Sequence, residues 1–122
     1  MVPANEGFEV HDRDEICRRR FEKMQRDFLK TLVTPEVIEE HRRSTEGQHS
    51  EALERLLIYF RRRPLPGKYV IAMVEQSEGY RIVALSGLRG VPPGVVEDKI
   101  YRSPEEARHG VFLRGVQELL ES

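Results

Sequence analysis

A chain of 122 residues holds one domain, because a second hydrophobic core would not fit. With 20 basic and 21 acidic residues the formal charge is -1, which argues against nucleic-acid or anionic-lipid binding through bulk charge. An apolar content of 39% against 34% charged points to a small core beneath a heavily solvated or partner-facing surface. Cys17 is the only cysteine, so neither an intramolecular disulfide nor a cysteine-rich zinc site can form. The opening MVPANEGFEVHDRDE lacks the basic start and apolar run of a secretory signal, and no stretch has the roughly 20 apolar residues that span a bilayer. A cytoplasmic protein without a membrane segment is the expectation.

Residues 1–10 mix Pro3, Asn5, Gly7 and charge without periodicity and read as a flexible tail, leaving 11–122 as a single domain. Cys17, Phe21, Met24, Phe28 and Leu32 then follow one another at steps of four, three, four and four, which predicts a helix with one buried stripe, capped by Asp12 or Asp14. On this reading Cys17 belongs to the core. Thr34-Pro35-Glu36 is a second helix start, with Thr34 as cap and Pro35 preset for the first helical position, and Gly47 closes the turn that follows. A third helix opens at Gln48-His49-Ser50-Glu51, buries Leu53, Leu56, Leu57 and Phe60, and stops at Pro64 and Pro66.

Lys68–Val74 and Tyr80–Leu85 are rich in β-branched and aromatic residues and read as an antiparallel hairpin, with Ser77-Glu78-Gly79 as its turn and Gly79 free to take positive φ. Both faces of the pair are largely apolar, so both require cover, one from this chain's helices and the other from a further surface. Gly87–Val96 reads as a contact loop, Asp98–Arg102 as a short third strand around Ile100 and Tyr101. Ser103-Pro104-Glu105-Glu106 starts a closing helix, with Ser103 as cap and Glu106 able to reach back in a capping box, and Val111, Phe112, Val116, Leu119 and Leu120 on one side. The predicted class is α+β: N-terminal helices, a hairpin with a short third strand, and a C-terminal helix packed on the sheet.

No catalytic constellation stands out. Of His11, His41, His49 and His109, no two have the spacing of three or four that places two metal ligands on one helix face. No serine lies in a G-x-S-x-G turn, and the carboxylate pairs Glu39-Glu40, Glu97-Asp98 and Glu105-Glu106 read as solvated faces or caps. The runs Arg18-Arg19-Arg20 and Arg61-Arg62-Arg63 suit phosphate, but the balanced charge favours solvation or an acidic partner surface. Gly67-Lys68 lacks the spacing of a phosphate loop, and Tyr59, Tyr69, Tyr80 and Tyr101 read as structural.

The run L-x-R-x-x-I-Y-F-R-x-x-P-x-x-G-K-Y-x-I, Leu53 through Ile71, resembles the small subunit of the bacterial N,N-dimethylformamidases. The likeness continues through Tyr80-Arg81-Ile82-Val83 and Ser103–Arg114, and upstream through Pro35–His41, some two thirds of the chain, with the first ~30 residues and the GLRGVPPG loop outside it. In that family the small subunit accompanies a much larger one, and the resemblance implies that iron and the amide-hydrolysing chemistry belong to the large chain. It carries over no catalytic, cofactor or metal residue to this one. It implies a heteromer in which Tyr59, Arg61, Lys68, Tyr69, Tyr80, Arg81, His109 and Arg114 are the candidate contacts with the partner. Two other readings stand beside it: a stand-alone or homo-oligomeric α+β interaction module, and a small enzyme built on a histidine such as His41 or His109, which requires a concave pocket around the ring.

Overall fold

The computed structural model describes the backbone of residues 2–74 and 79–122, and side chains within those ranges from residue 13 onward. The chain is α+β, with four helices and a three-stranded antiparallel sheet. In order they are α1 (Val2–Leu32), α2 (Pro35–Arg43), α3 (Glu51–Arg61), β1 (Tyr69–Val74), β2 (Gly79–Ala84), β3 (Gly94–Val95) and α4 (Pro104–Glu121). The helix assigned from Val2 runs through the stretch read as a tail and leaves Asp12 and Asp14 inside α1 rather than at its cap.

The predicted stripe of α1 is where expectation and structure part most. Phe21, Met24 and Phe28 are exposed, at 69%, 71% and 48%, and Cys17 is exposed too, so it is not a core residue. Among the described side chains of α1, Leu29 enters the core, with Leu32 and Val33 packed beside it. Spacing by fours and threes fixes which residues share a face, but burial also needs a surface opposite. Among the described residues of α1, the last turns have one that buries them.

The next helix starts are as read. Thr34 Oγ1 accepts from the backbone N–H of Val37 at 3.2 Å, and Ser50 Oγ accepts from that of Leu53 at 3.3 Å, each satisfying a first-turn donor that would otherwise lack a partner. The Glu40 carboxylate ties α2 to the start of α3 by accepting from both Ser50 N and Ser50 Oγ at 2.6 Å, and these bonds hold its pKa below the usual range. Leu53 and Leu56 of α3 are fully buried and join Leu29, Val37, Phe112, Val116 and Leu119 in one cluster. Gly47, at φ 95°, takes the left-handed conformation in the turn between α2 and α3.

β2 is the central strand. It pairs with β1 from Tyr69↔Ala84 to Val74↔Gly79 and with β3 at Val83↔Val95 and Ala84↔Gly94. Of the expected turn, Ser77 and Glu78 lie outside the described residues. Gly79 is paired in β2 and does not adopt positive φ; its role is a close approach, since a Cβ there would lie 2.3 Å from Ile100 Cγ2. The third strand is also displaced from its predicted place. The chain meets β2 twice more, as β3 at Gly94–Val95 inside the stretch read as a loop and as an isolated bridge at Tyr80↔Tyr101, while Asp98, Lys99 and Ile100 between them stay exposed. Just before these residues the Glu97 carboxylate accepts from Tyr101 Oη at 2.8 Å and from Arg114 Nη2 on α4 at 2.9 Å.

α4 covers one face of the sheet. Ser103 Oγ caps it through Glu106 N at 3.2 Å; the return bond from the Glu106 side chain that would complete a capping box is not formed. Ala107, Phe112, Val116 and Leu119 are buried along it, whereas Leu120 is 52% exposed. Gly110 lets the sheet come close, as a Cβ there would meet Tyr101 Oη at 2.7 Å and Ile82 Cδ1 at 3.0 Å. By alternation, Tyr69, Ile71 and Ile82 share that covered face. On the opposite face Val83 is buried and Val70, Ala72, Val74 and Arg81 are half-buried, so this chain covers part of the second face itself.

Candidate functional site: a histidine pair beside an apolar cleft

α2 and α4, packed together, join two residues 68 positions apart. His41, in the last turn of α2, is 3% exposed; its Nδ1 lies 2.9 Å from Nδ1 of His109 on α4. One ring must donate and the other accept, so at least one of the two is neutral. Phe112, one turn along α4 from His109, stacks on His41 with ring centroids 4.1 Å apart and planes at 17°. Burial pushes the pKa of His41 down to about 4, with the neighbouring His109 and His49 rings adding to the effect. His109 is also lowered, by burial first and then by the charge of Arg42.

His49 lies on the far side, its ring centroid 6.4 Å from that of His41. Its Nε2 donates to the carbonyl of Ser44 at 2.7 Å, and its Nδ1 faces Glu54 Oε1 at 3.2 Å. Both nitrogens are thus turned to oxygen rather than towards the pair. No group of three or more His, Cys, Asp or Glu side chains is arranged to hold a metal ion among the described residues.

Beside His41 opens a cleft of about 400 Å³ between α3, β1 and α4. Leu57 and Phe60 of α3, Ile71 of β1, and Val111 and Phe112 of α4 make its apolar wall. Gly115 lets Phe60 pack closely on α4, since a Cβ there would lie 3.2 Å from its ring. Arg61, Arg63, Lys68, Arg108 and Glu118 line it as well. Glu118 accepts from Arg63 Nη1 at 2.7 Å and from the Tyr69 hydroxyl, and that second bond, followed by burial, raises the Tyr69 pKa. Arg114 sits over the Tyr69 ring, 5.6 Å from its centroid, and links this group to Glu97 and Tyr101. The Arg114 and Tyr101 bonds hold the Glu97 carboxyl below the usual range, while burial and the bond to Glu97 push Tyr101 up to about 12.

Of the eight residues proposed from sequence as partner contacts, Arg61, Lys68 and Tyr69 come together at this cleft. Arg114 reaches it only through Tyr69, and His109 is engaged with His41. Tyr59 faces another groove, with Phe21, Phe28 and Ile58 between α1 and α3. Tyr80 is tied to Tyr101 at the backbone, and Arg81 lies on the far face of the sheet with a buried Nε that has no partner among the described residues. These eight do not form one patch. The histidine pair escaped spacing arguments because its members stand on different helices; the only sequence signal was that His41 and His109 both fall in segments carrying the family likeness.

Fold and site define a small α+β domain with an internal histidine pair, a cation-rimmed apolar cleft and exposed apolar side chains along α1. Over residues 16–122 the chain matches the family described as N,N-dimethylformamidase alpha subunit. It is 31% identical over 113 residues to the N,N-dimethylformamidase alpha subunit of Paracoccus aminophilus, an alignment covering 88% of this chain and 79% of that one. To the N,N-dimethylformamidase alpha subunit of an Alcaligenes species it is 34% identical over 88 residues, covering 70% of this chain and 65% of the relative. The chain belongs to the N,N-dimethylformamidase alpha subunit family. The match is longer than the motifs suggested: it takes in the second half of α1 and the Gly87–Val96 loop.

Proposed function

We propose that this chain is the non-catalytic small subunit of a heteromeric, cytoplasmic amidohydrolase resembling N,N-dimethylformamidase, and that it supports assembly and stability of a large iron-dependent catalytic subunit. The observation that carries this reading is the family match over residues 16–122, to proteins named as the alpha subunit of that enzyme. The exposed apolar residues of α1 support it, because Phe21, Met24 and Phe28 on one helix form a surface that a partner would bury. Among the described residues no helix is long and apolar enough to cross a membrane, so a lipid bilayer spanned by a helix is not what covers them.

Co-expression with a large dimethylformamidase-type chain, followed by size-exclusion chromatography with light scattering and metal analysis, tests the reading. The expected result is co-elution, with iron retained by the complex and by the large chain but not by the small chain alone. A small chain that stays monomeric and folded beside the large one overturns it. A homodimer indifferent to the large chain would make this a self-associating module instead.

A further inference from the structure

The cleft between α3, β1 and α4 pairs an apolar interior with a mainly cationic rim. Four cationic side chains, Arg61, Arg63, Lys68 and Arg108, line it against a single carboxylate, Glu118. That carboxylate is already engaged by Arg63 and Tyr69. Arg108 pairs with Glu46 at 3.1 Å in an exposed ion pair of the kind that contributes little. Lys68 Nζ donates to the backbone carbonyl of Arg61 at 2.9 Å, and among the described residues neither Lys68 nor the Arg61 side chain forms an ion pair. That hydrogen bond fixes the Lys68 ammonium beside the C-terminal end of α3, and the Arg61 side chain lines the same cleft. Its volume of about 400 Å³ falls in the range of small-molecule sites, which join apolar walls to a few placed polar groups.

We propose that this cleft binds a small monocarboxylate with an aromatic or branched apolar body. The carboxylate meets the Arg61 and Lys68 side chains, and the body rests against Phe60, Val111 and Phe112. Charge selects the anion, since four cations surround one carboxylate that is already satisfied. The apolar wall of Leu57, Phe60, Ile71 and Val111 selects an apolar body, and the volume of the cleft keeps that body small. The proposal concerns the small chain's own surface and goes beyond the subunit reading; it holds or fails whether or not a large chain is bound.

The test is a titration of the isotopically labelled full chain with 4-phenylbutyrate, followed by amide NMR. Amides of Phe60, Gly67, Val111 and Gly115 are expected to shift together and saturably. The neutral 4-phenylbutyramide and the short acetate ion should each bind at least ~10-fold more weakly, because each lacks one half of the recognised chemistry. Arg61→Glu with Lys68→Glu should weaken 4-phenylbutyrate by at least ~10-fold with an unchanged circular-dichroism spectrum, these side chains lying outside the core. Equal binding of acid and amide, shifts centred elsewhere, or no saturable shift would each overturn the assignment. So would at least ~10-fold tighter binding of N-acetyl-alanyl-phenylalanine, which would make the cleft a receptor for a polypeptide C-terminus.

Discussion

α1 and α4 carry similar apolar stripes and meet opposite fates. On α4, Ala107, Phe112, Val116 and Leu119 are buried between the sheet and α3, and Gly110 and Gly115 draw the neighbouring elements in. On α1, Phe21, Met24 and Phe28 are exposed, and among its described side chains Leu29 is the one buried in the core. Amphipathic periodicity therefore marks a face that something should cover without saying that the same chain supplies the cover. The difference between these helices is what separates the residues that hold this domain together from those left to meet another surface.

The largest effect should follow from removing an anchor on the covered side. Phe112→Ala deletes a buried ring that packs on both Phe60 and His41, and we expect a loss of about 3–5 kcal/mol in urea unfolding. A loss under about 1 kcal/mol would show that the α4 side is no better packed than α1.

Next comes acid sensitivity, again confined to the α4 side. His41 has its folded pKa pushed from 6.5 to about 4, so the unfolded chain binds a proton there that the folded chain refuses. The stability this provides is fully present above about pH 6.5 and falls as pH drops from there towards about 4, by on the order of 3 kcal/mol. Urea midpoints measured across that range should show the slope, and His41→Gln should flatten it.

Gly110→Ala should cost about 1–3 kcal/mol, because the added methyl meets Tyr101 Oη at 2.7 Å and forces either the Tyr101–Glu97 bond or the helix to shift. Thermal unfolding will read this, and a neutral result would mean that the sheet can yield at that contact. The smallest change is expected on the other helix. Phe21→Ser with Met24→Ser should leave the isolated chain within about 0.5 kcal/mol of the parent, as neither side chain is buried. The same pair should weaken co-elution with a large dimethylformamidase-type chain by about 10-fold or more, and unaffected co-elution would place the partner's contact elsewhere.

Much of the fold could be read from local chemistry. Thr34, Ser50 and Ser103 cap the helices for which Thr-Pro-Glu, Gln-His-Ser-Glu and Ser-Pro-Glu-Glu had been read as starts, because a short oxygen side chain meets an unpaired first-turn N–H wherever the helix is placed. The hairpin was legible for a similar reason, with β-branched runs of six or seven residues on either side of a polar break. The third strand was harder, since its two short contacts with β2, at Gly94–Val95 and at Tyr101, are separated by residues that do not pair. At the site, Arg61, Lys68 and Tyr69 were found through the family motif, whereas Glu118, Arg108 and Gly115 were not, for their part in the cleft comes only from the packing of α4 against α3 and β1.

The sequence by itself determined the α+β class, three of the four helix starts, the antiparallel hairpin and the family. Each follows from interactions within a few residues or from patterns carried along the chain. Only the tertiary structure decided that Cys17 and the face of α1 stay exposed, that Gly79 serves a close approach rather than a turn, and that His41 meets His109. These depend on which surfaces come to lie opposite one another, and no local propensity encodes a contact across 68 residues.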